Sequence, residues 1–532
     1  MIDPVQHLLT LPERDPLAMG ERLADLLTPA LRLQGSSWAL KPLQALALAE
    51  ACVVGGLFAP LPVGEGKTLI IYLLPLVLRC KRPLLLLPHA LIEDKTEHDF
   101  GVLSKEWRSP EIPYTIRSFE LVSARPGLLT ELDPDVVVLD EAHKAKNLDA
   151  KITRRLMRHA IDRRPKCFYF TGTPEKSSLK DWWHLQLTAL PPALRPLPGN
   201  QRQLEHWCER LDPRSRPPYI GPLKRLCGKP KPRLIDLREA FGKRLARTPG
   251  IIIQERVPDL PPLGIEVLNK RHDKVDEVTQ HLRSTYSTPS GETFVDITRL
   301  WAHCRSAARG YWYRWKDPPP SSEWVAARRA FSIFYQTVRA LNKDLETERQ
   351  VMAEYDYVPA VQDWARLRST YKIVTEPVWF TDDIMQDAYR WAVDHQGVVW
   401  ADNIAEGERL QELGLPYFHH HGRNVDGVHI MNYKGPAVVA SSACSEGVDL
   451  TQYTEALILD APPSAAVWEQ RLARLHRGGQ KRPVRFEVWA YVKEQRLSLR
   501  KALEESQDLS AKFCATHKIR LADITYKDND NG

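Results

Sequence analysis

The sequence predicts an α/β protein made of two lobes, each a mostly parallel, doubly wound sheet. Short apolar runs typical of buried strands alternate with helical stretches in both halves of the 532-residue chain. Polar segments follow these runs, as expected where ligands bind at the carboxyl ends of parallel strands. Because the chain is too long for one ordinary core, we expect a first lobe over 35–262 and a second over 263–532, after a helical segment at 1–34. The second lobe is expected to end in a helix or tail at the carboxyl terminus.

The amino-acid composition restricts the class of protein to which this chain can belong. With 43% hydrophobic and 27% charged residues the chain is typical of a globular protein, and no apolar run approaches the roughly 20 residues that cross a bilayer. The eight cysteines are scattered without a CxxC pair, and no secretory signal is visible at the amino terminus. We therefore predict a cytoplasmic location. The formal charge of +7 permits nucleic-acid binding but does not establish it.

Two adjacent carboxylates follow one of the predicted buried strands. The apolar run Val136 to Leu139 leads into Asp140 and Glu141, with His143 two positions later. Burying two acids is costly unless a cation or a reaction uses them. Nucleotide hydrolysis uses both: Asp140 holds Mg²⁺, directly or through water, and Glu141 orients and deprotonates the attacking water. The alternative is an acidic helix start stabilised by the helix dipole alone.

A phosphate-binding loop upstream decides between these alternatives. In LPVGEGKTLIIYLLP the glycines let the backbone approach phosphate, the lysine reaches the β and γ phosphates, and the threonine is a ligand for Mg²⁺. A helix follows and directs its N-terminus at the anion. The residues predicted to bind nucleotide here are Gly64, Glu65, Gly66, Lys67 and Thr68. The eight-residue form of the loop would begin with glycine, where this chain has Leu61.

Further polar side chains are expected along the same edge of the first sheet. Gln44 stands near the start of a predicted helix and offers the donor and acceptor that an adenine edge requires, although capping is the commoner role. Predicted strands at 84–87, 114–116 and 167–170 are followed by polar segments. The hydroxyls of Thr171 and Thr173 are expected to bond the acid pair and report the γ-phosphate state, unless TGTP is an ordinary turn. Lys95 and Ser118 are expected to contact nucleic acid.

Two regions of unusual composition interrupt the lobes. From about 191 prolines recur, and basic residues dominate between Arg214 and Arg247, which suits a phosphate backbone or a solvated basic face. A second insertion, at about 290–375, is predicted to be helical and holds alternating aromatic and basic residues at 309–316. Such aromatics stack on bases in some proteins, but packing with arginines over the rings is the favoured interpretation.

The second lobe repeats the strand–helix alternation, with predicted strands at 398–400, 437–440, 456–459 and 484–489. Ser441 follows one of these strands and is a further candidate for nucleic-acid contact. Gln470, Arg474 and Arg477 have i, i+4, i+7 spacing, so a helix would put them on one face. Arginines on such a face are usually ion-paired. Here a phosphate loop lacks a neighbouring arginine, and transition-state arginines raise phosphoryl-transfer rates by about 10³ to 10⁵.

The order of five motifs resembles the superfamily-two helicases, and among them the compact bacterial or phage-borne Swi/Snf-type translocase ATPases. The motifs are GEGKT, DEAHKAKN, TGTP, SEGVDL and QRLARLHRGGQ. The KN after DEAH, the segment FGKRLARTPGIIIQERVPDLPP and the closing HRGGQ carry the narrower resemblance. The chain departs from the family pattern at Leu61 and at 175–177.

The resemblance implies two RecA-like lobes with ATP at their junction and nucleic acid across both. It implies that Gln44 reads adenine and that Lys67, Thr68, Asp140 and Glu141 carry out hydrolysis. Gly447 and Asp449 would act near the nucleotide, Gln470 would support catalysis, and Arg474 and Arg477 would be arginine fingers. His143, Thr171 and Thr173 would couple hydrolysis to nucleic-acid binding.

We therefore expect an ATP-driven translocase on duplex DNA that uses ATP and Mg²⁺, acts as a monomer and has no membrane association. A strand-separating DNA or RNA helicase uses the same chemistry and stays open as an alternative. A nucleotide-gated binding switch with little turnover is a third hypothesis. The presence of Lys67, Glu141 and both arginines argues against this third hypothesis, because a mere binder needs no hydrolytic base.

Overall fold

A computed structural model confirms the predicted α/β class and divides the chain into two units. It describes residues 4–528 except 63, 149, 173–177, 213–220, 255–259, 317–319, 343–347, 445–447 and 514–516. The first unit comprises Met1–Leu260, Ala465–Gln480 and Leu503–Leu521, and the second comprises Pro261–Ser464, Lys481–Ala502 and Ala522–Gly532.

The helices are α1 (Pro4–Thr10), α2 (Pro16–Leu31), α3 (Pro42–Val54), α4 (Lys67–Leu78), α5 (Phe100–Leu103), α6 (Phe119–Ala124), α7 (Leu128–Leu132), α8 (Lys151–Arg163), α9 (Lys180–Ala189), α10 (Gln201–Leu211), α11 (Leu234–Ala246), α12 (Asp273–Thr285), α13 (Ile297–Ala307), α14 (Ser322–Leu341), α15 (Glu348–Glu354), α16 (Pro359–Leu367), α17 (Asp383–His395), α18 (Ile404–Glu412), α19 (Ser441–Cys444), α20 (Ala465–Leu475), α21 (Lys493–Phe513) and α22 (Lys518–Leu521). A π-helix spans Asp94–Asp99, and a 3-10 turn spans Ala142–Ala145.

The first unit is built on a five-stranded parallel sheet. Its strands are β1 (Leu57–Pro60), β2 (Pro83–Leu87), β3 (Thr115–Ser118), β4 (Val136–Asp140) and β5 (Lys166–Thr171), in the order β1-β5-β4-β2-β3. Alternate residues of each strand enter two different cores: Val137 and Leu139 pack in one, and Val136 and Val138 in the other. A sheet buried on both faces explains why its strands read as continuous apolar runs.

Two late segments of the chain belong to the first unit, although the sequence analysis assigned them to the second lobe. Ala465 of α20 and Leu509 and Phe513 of α21 are buried in the core of the first unit. The ring of Phe513 lies 5.9 Å from that of Trp182 in α9. The burial of these apolar side chains explains the assignment, which sequence order does not reveal.

The second unit holds a seven-stranded parallel sheet. Its strands are β6 (Leu263–Asn269), β9 (Val398–Ala401), β10 (Tyr417–Phe418), β11 (Ala437–Ala440), β12 (Glu455–Ile458), β13 (Val484–Ala490) and β14 (Asp523–Asp528), and β7 (Tyr311–Trp315) and β8 (Thr375–Trp379) form a separate antiparallel pair. The order in the large sheet is β10-β11-β9-β12-β13-β6-β14. The sequence analysis expected a helix or tail where β14 forms an edge strand.

The aromatic insertion of the second unit is only partly helical, which corrects the prediction. Tyr311 to Trp315 form β7 rather than a helix. The Trp315 ring lies 5.5 Å from that of Trp324, edge to face, and the Arg328 guanidinium lies 5.5 Å from the Trp315 ring centre. These contacts agree with the packing interpretation of the cluster.

A buried ion-pair network fixes this insertion to the large sheet of the second unit. Arg309 lies between α13 and β7, with Nη1 at 3.0 Å from Oε1 of Glu406 and 3.2 Å from Oδ2 of Asp460. Burial opposes the charged form of Arg309, but the nearby carboxylates raise its pKa overall. Arg305 adds a second bond to Asp460, at 2.8 Å from Nε to Oδ1. The insertion is therefore tied to the sheet by charge as well as by packing.

Part of the basic segment before residue 247 is structural, not a nucleic-acid surface. Arg238 and Arg244 lie in α11 with their side chains buried. Nε of Arg238 donates to the Leu211 carbonyl at 2.8 Å, and Nε of Arg244 donates to the Leu8 carbonyl at 2.9 Å. Positive charge counted along the sequence overstates what this helix offers to phosphates.

None of the helices in the described part of the chain has the length and apolar character needed to span a membrane.

The packing of α11 against the end of α21 yields a test of the first unit. A methyl group at Gly242 would lie 2.4 Å from the Ala511 carbonyl oxygen. Although alanine favours helices, we expect Gly242→Ala to lower the free energy of unfolding by about 1–3 kcal/mol because the backbones must separate. Gly101→Ala, where a methyl meets no atom within 4 Å, should be neutral or stabilising in the same denaturant titration. Equal stability of the two variants would contradict this packing.

Candidate functional site

The candidate site lies at the carboxyl ends of β1, β4 and β5, where the predicted phosphate loop begins. Gly64 (φ 91°) and Gly66 (φ 78°) both have left-handed backbones, and Gly66 caps the N-terminus of α4. A Cβ at Gly66 would lie 2.1 Å from Nε2 of Gln44. The loop therefore requires glycine both for its turn and for the approach of Gln44.

Lys67 reaches back into the loop from the first turn of α4. Its ammonium donates to the carbonyls of Leu61, at 2.9 Å, and Pro62, at 3.3 Å. Burial lowers the pKa of Lys67, and the nearby Glu141 and Asp140 carboxylates only partly oppose that effect. An ammonium held by two uncharged acceptors at the N-terminus of α4 can exchange these carbonyls for an anion.

The acid pair lies at the end of β4, between β2 and β5 in the sheet. Asp140 is 5% exposed, and Glu141 follows it with a left-handed backbone (φ 59°, ψ 50°). A residue other than glycine in this conformation stores strain of order 1–3 kcal/mol, and such strain is concentrated at functional sites. The turn directs the two carboxylates to different neighbours.

Glu141 is surrounded by positive and hydrogen-bonding groups. Nδ1 of His143 lies 3.2 Å from Oε2 of Glu141 and 3.2 Å from Oγ1 of Thr171, the last residue of β5. Burial would raise the pKa of Glu141, but the hydrogen bond with His143 and the charges of Lys67 and Arg474 bring it below its ordinary value. Glu141 is therefore an ionised acceptor at neutral pH, joined to Thr171 through His143, as the predicted coupling role requires.

Asp140 and Thr68, the predicted metal ligands, share a cationic neighbour. Nζ of Lys95 lies 2.8 Å from Oδ2 of Asp140 and 2.8 Å from Oγ1 of Thr68. Burial opposes the charge on Lys95, but Asp140 and Asp99 raise its pKa. A carboxylate and a hydroxyl that converge on one positive charge fit Mg²⁺, which takes few protein ligands together with substrate phosphates. The described residues contain no cluster of three His, Cys, Asp or Glu side chains suited to another metal.

Lys95 thus has partners within the site, and the prediction that it contacts nucleic acid stays a prediction. The side chain is 9% exposed and ion-paired within the site. Ser118 also has a local role, because its hydroxyl accepts from the Leu121 N–H at 3.0 Å and caps α6. Neither role could be read from a polar segment at the end of a strand, since capping and surface contact use the same residue types.

The predicted arginines lie in the part of the chain that packs with the first unit. Arg474 is buried in α20, and its positive charge acts on both Glu141 and Lys67. The Arg477 Cβ lies 3.4 Å from where a Cβ at Gly64 would be. Helix α20 ends at Leu475, so Arg477 follows the helix. The prediction of one helical face carrying both arginines and Gln470 is therefore wrong, although both arginines are near the loop. Gln470 is partly buried on α20.

Gln44 caps the start of α3, which is one of the two roles that the sequence left open, and its recognition of adenine stays a prediction. Its Oε1 accepts from the Lys41 N–H at 2.8 Å and closes the first turn of α3. Its Nε2 donates to the Gly66 carbonyl at 3.4 Å. Glu65, almost buried, pairs with the Lys41 ammonium at 3.4 Å. The start of α3 and the loop are thus joined by polar contacts.

Two of the remaining predicted residues belong to the second unit. In the second unit Asp449 is partly buried and accepts from the Thr451 N–H at 2.9 Å, and Ser441 begins α19 at the end of β11. Thr173 and Gly447 fall outside the described residues.

Lys518 is a further charged residue near the loop, and the sequence did not predict it. It is buried in α22. Burial lowers its pKa, and the charges of Glu469 and Glu65 only partly oppose that effect. No motif marks it, because only the fold brings it near the loop.

Comparison with known proteins adds no family to this description. No protein-family model matches the chain, and no curated protein matches its sequence. The chemistry of the site and the resemblance of the motifs therefore provide the support for a function.

Proposed function

We propose that this protein is a nucleic-acid-dependent ATPase that uses hydrolysis to move along duplex DNA. One observation carries the ATPase: an ionised Glu141 at the end of β4 shares a largely buried site with the phosphate-loop Lys67 and with Arg474. A general base, a phosphate-binding cation and an arginine are the groups that phosphoryl transfer to water requires. The proposal that the protein moves along duplex DNA rests on the resemblance to Swi/Snf-type translocases.

Phosphate binding would begin with Lys67 and the N-terminus of α4. The ammonium would exchange the carbonyls of Leu61 and Pro62 for phosphate oxygens, which are stronger acceptors because they carry charge. The free N–H groups at the start of α4 add a favourable dipole. A magnesium ion held by Thr68 and Asp140 would neutralise charge that develops on the phosphates.

Glu141 would orient the attacking water and accept its proton. The hydrogen bond with His143 and the charges of Lys67 and Arg474 lower the pKa of Glu141, which makes it a weak base before substrate binds. Phosphate charge beside these two cations would offset their field and raise the pKa of Glu141 toward a more useful range. We therefore expect Glu141 to become a stronger base when the nucleotide binds. His143 would transmit the state of Glu141 to Thr171 through its ring nitrogen.

Replacing the proposed base should separate binding from turnover. Glu141→Gln keeps the shape of the side chain but cannot accept a proton, so hydrolysis should fall by about 10²- to 10⁴-fold while nucleotide binding persists. Lys67→Ala should weaken binding itself, because it removes the phosphate cation. Fluorescent-nucleotide titration and phosphate release measure the two effects, with the exposed Glu111→Gln as the matched control. Hydrolysis by Glu141→Gln at the parent rate would refute the assignment.

The arginines should matter for turnover more than for binding. Arg474→Ala is expected to reduce nucleic-acid-stimulated hydrolysis by about 10³- to 10⁵-fold, because it removes positive charge that stabilises the transition state. Arg477→Ala should act in the same direction. Arg158→Ala, at an exposed position of α8, provides the matched control. Full stimulation in both Arg474→Ala and Arg477→Ala would contradict their role as arginine fingers.

Stimulation by different nucleic acids tests which polymer the protein acts on, and two strand-displacement assays test how it moves. Duplex DNA should stimulate hydrolysis more than single-stranded DNA or RNA, and affinity should fall steeply with salt whatever the base sequence. With ATP the protein should displace the third strand of a triplex but should not unwind a forked duplex. RNA as the best stimulator, or fork unwinding without triplex displacement, would instead identify a conventional helicase.

A further inference from the structure

The ammonium of Lys95 occupies the point on which the two predicted metal ligands converge. It lies 2.8 Å from the Thr68 hydroxyl and 2.8 Å from the Asp140 carboxylate, with Asp99 Oδ2 at 3.7 Å. The Lys95 side chain is 9% exposed, so water provides little competing solvation. A cation of the protein itself therefore holds the oxygens that a divalent cation would need.

We propose that Lys95 is an internal cation that competes with the divalent metal for Thr68 and Asp140, and that it must leave before metal and nucleotide bind together. The inference rests on the proposed ATPase function, because that function requires the metal. It differs from the assignment of Lys95 as a phosphate-binding residue, since such a residue would assist metal–nucleotide binding.

Charge opposes the simultaneous binding of Lys95 and a divalent cation to these oxygens. Magnesium binds oxygen at about 2.0–2.1 Å and demands near-octahedral geometry. An ammonium 2.8 Å from the same two oxygens would share them with an ion that binds both directly, and two cations sharing ligands repel strongly in a site with little water. Lys67, held only by carbonyls, is already available for phosphate. Competition is thus the role that the geometry leaves to Lys95.

The backbone that carries Lys95 offers a route for its departure. Lys95 lies in the π-helix Asp94–Asp99, and its carbonyl accepts from the Phe100 N–H. A π-turn holds one more residue than an α-turn and is frequent at functional sites. Rewinding it to α-helix would turn the side chain by about 100°, the rotation of one residue, and withdraw the ammonium from Asp140.

The test measures binding rather than hydrolysis. Affinity for a fluorescent ADP analogue is determined in excess Mg²⁺ and in EDTA for the parent, Lys95→Met and Lys105→Met, which removes the same charge at an exposed position. Lys95→Met should bind Mg·ADP about tenfold more tightly than the parent, because a charge-assisted hydrogen bond no longer has to be broken. Lys105→Met should resemble the parent. Hydrogen exchange at 94–100 should change with Mg·ADP and not with ADP in EDTA.

Unchanged or weaker Mg·ADP binding by folded Lys95→Met would overturn the inference, and weaker binding would identify Lys95 as a phosphate ligand. Where Lys95→Met does not fold, Lys95→Gln keeps a donor towards Asp140 without the charge, and the same tightening is expected. A parent protein that binds no nucleotide in either condition would overturn the proposed function and the inference with it. Nucleotide binding without the tightening would overturn the inference alone.

Discussion

Two carboxylates end the central strand of the first unit, and the charge that they bring has to be balanced from within the protein. Removing ionised groups from water costs several kcal/mol each unless partners compensate. Asp140 has Lys95, and Glu141 has His143, Lys67 and Arg474. These partners come from four places in the chain: the helix after β1, the segment after β2, the turn after β4 and helix α20. The position of the acid pair thus explains why distant segments meet at one edge of the sheet.

The same balance gives each cation a partner that a ligand would have to replace. Lys67 is held by carbonyls, which are weak acceptors, whereas Lys95 has a full ion pair. Under the proposed function, phosphate would gain Lys67 at little cost, whereas a divalent cation would reach Asp140 only after the ion pair with Lys95 is broken. Affinity and selectivity at this edge are therefore set by contacts that exist within the protein before any ligand arrives.

Local chemistry made much of the fold and part of the site predictable. The central strands of the first sheet read as apolar runs because both faces are buried, and the phosphate loop and the acid pair are each contiguous in sequence. Contacts that depend on tertiary placement were not predictable from the sequence. Lys95 and Ser118 both stand in polar segments at the ends of strands. Lys95 is buried in an ion pair with Asp140, whereas Ser118 caps α6. Arg238 and Arg244 add to a basic segment but are buried against backbone carbonyls, and β14 is too exposed to show a strand period.

The assembly of the first unit from three pieces of chain has a consequence for synthesis. Its core includes Ala465, Leu509 and Phe513, which emerge from the ribosome more than about 200 residues after the segment ending at Leu260. At about 5–20 residues per second, the first segment waits roughly 10 s or more with part of its apolar surface uncovered. The nascent chain is thus exposed to aggregation over this interval, and crowding or loss of chaperones should reduce the yield of folded protein more than equilibrium stability would suggest.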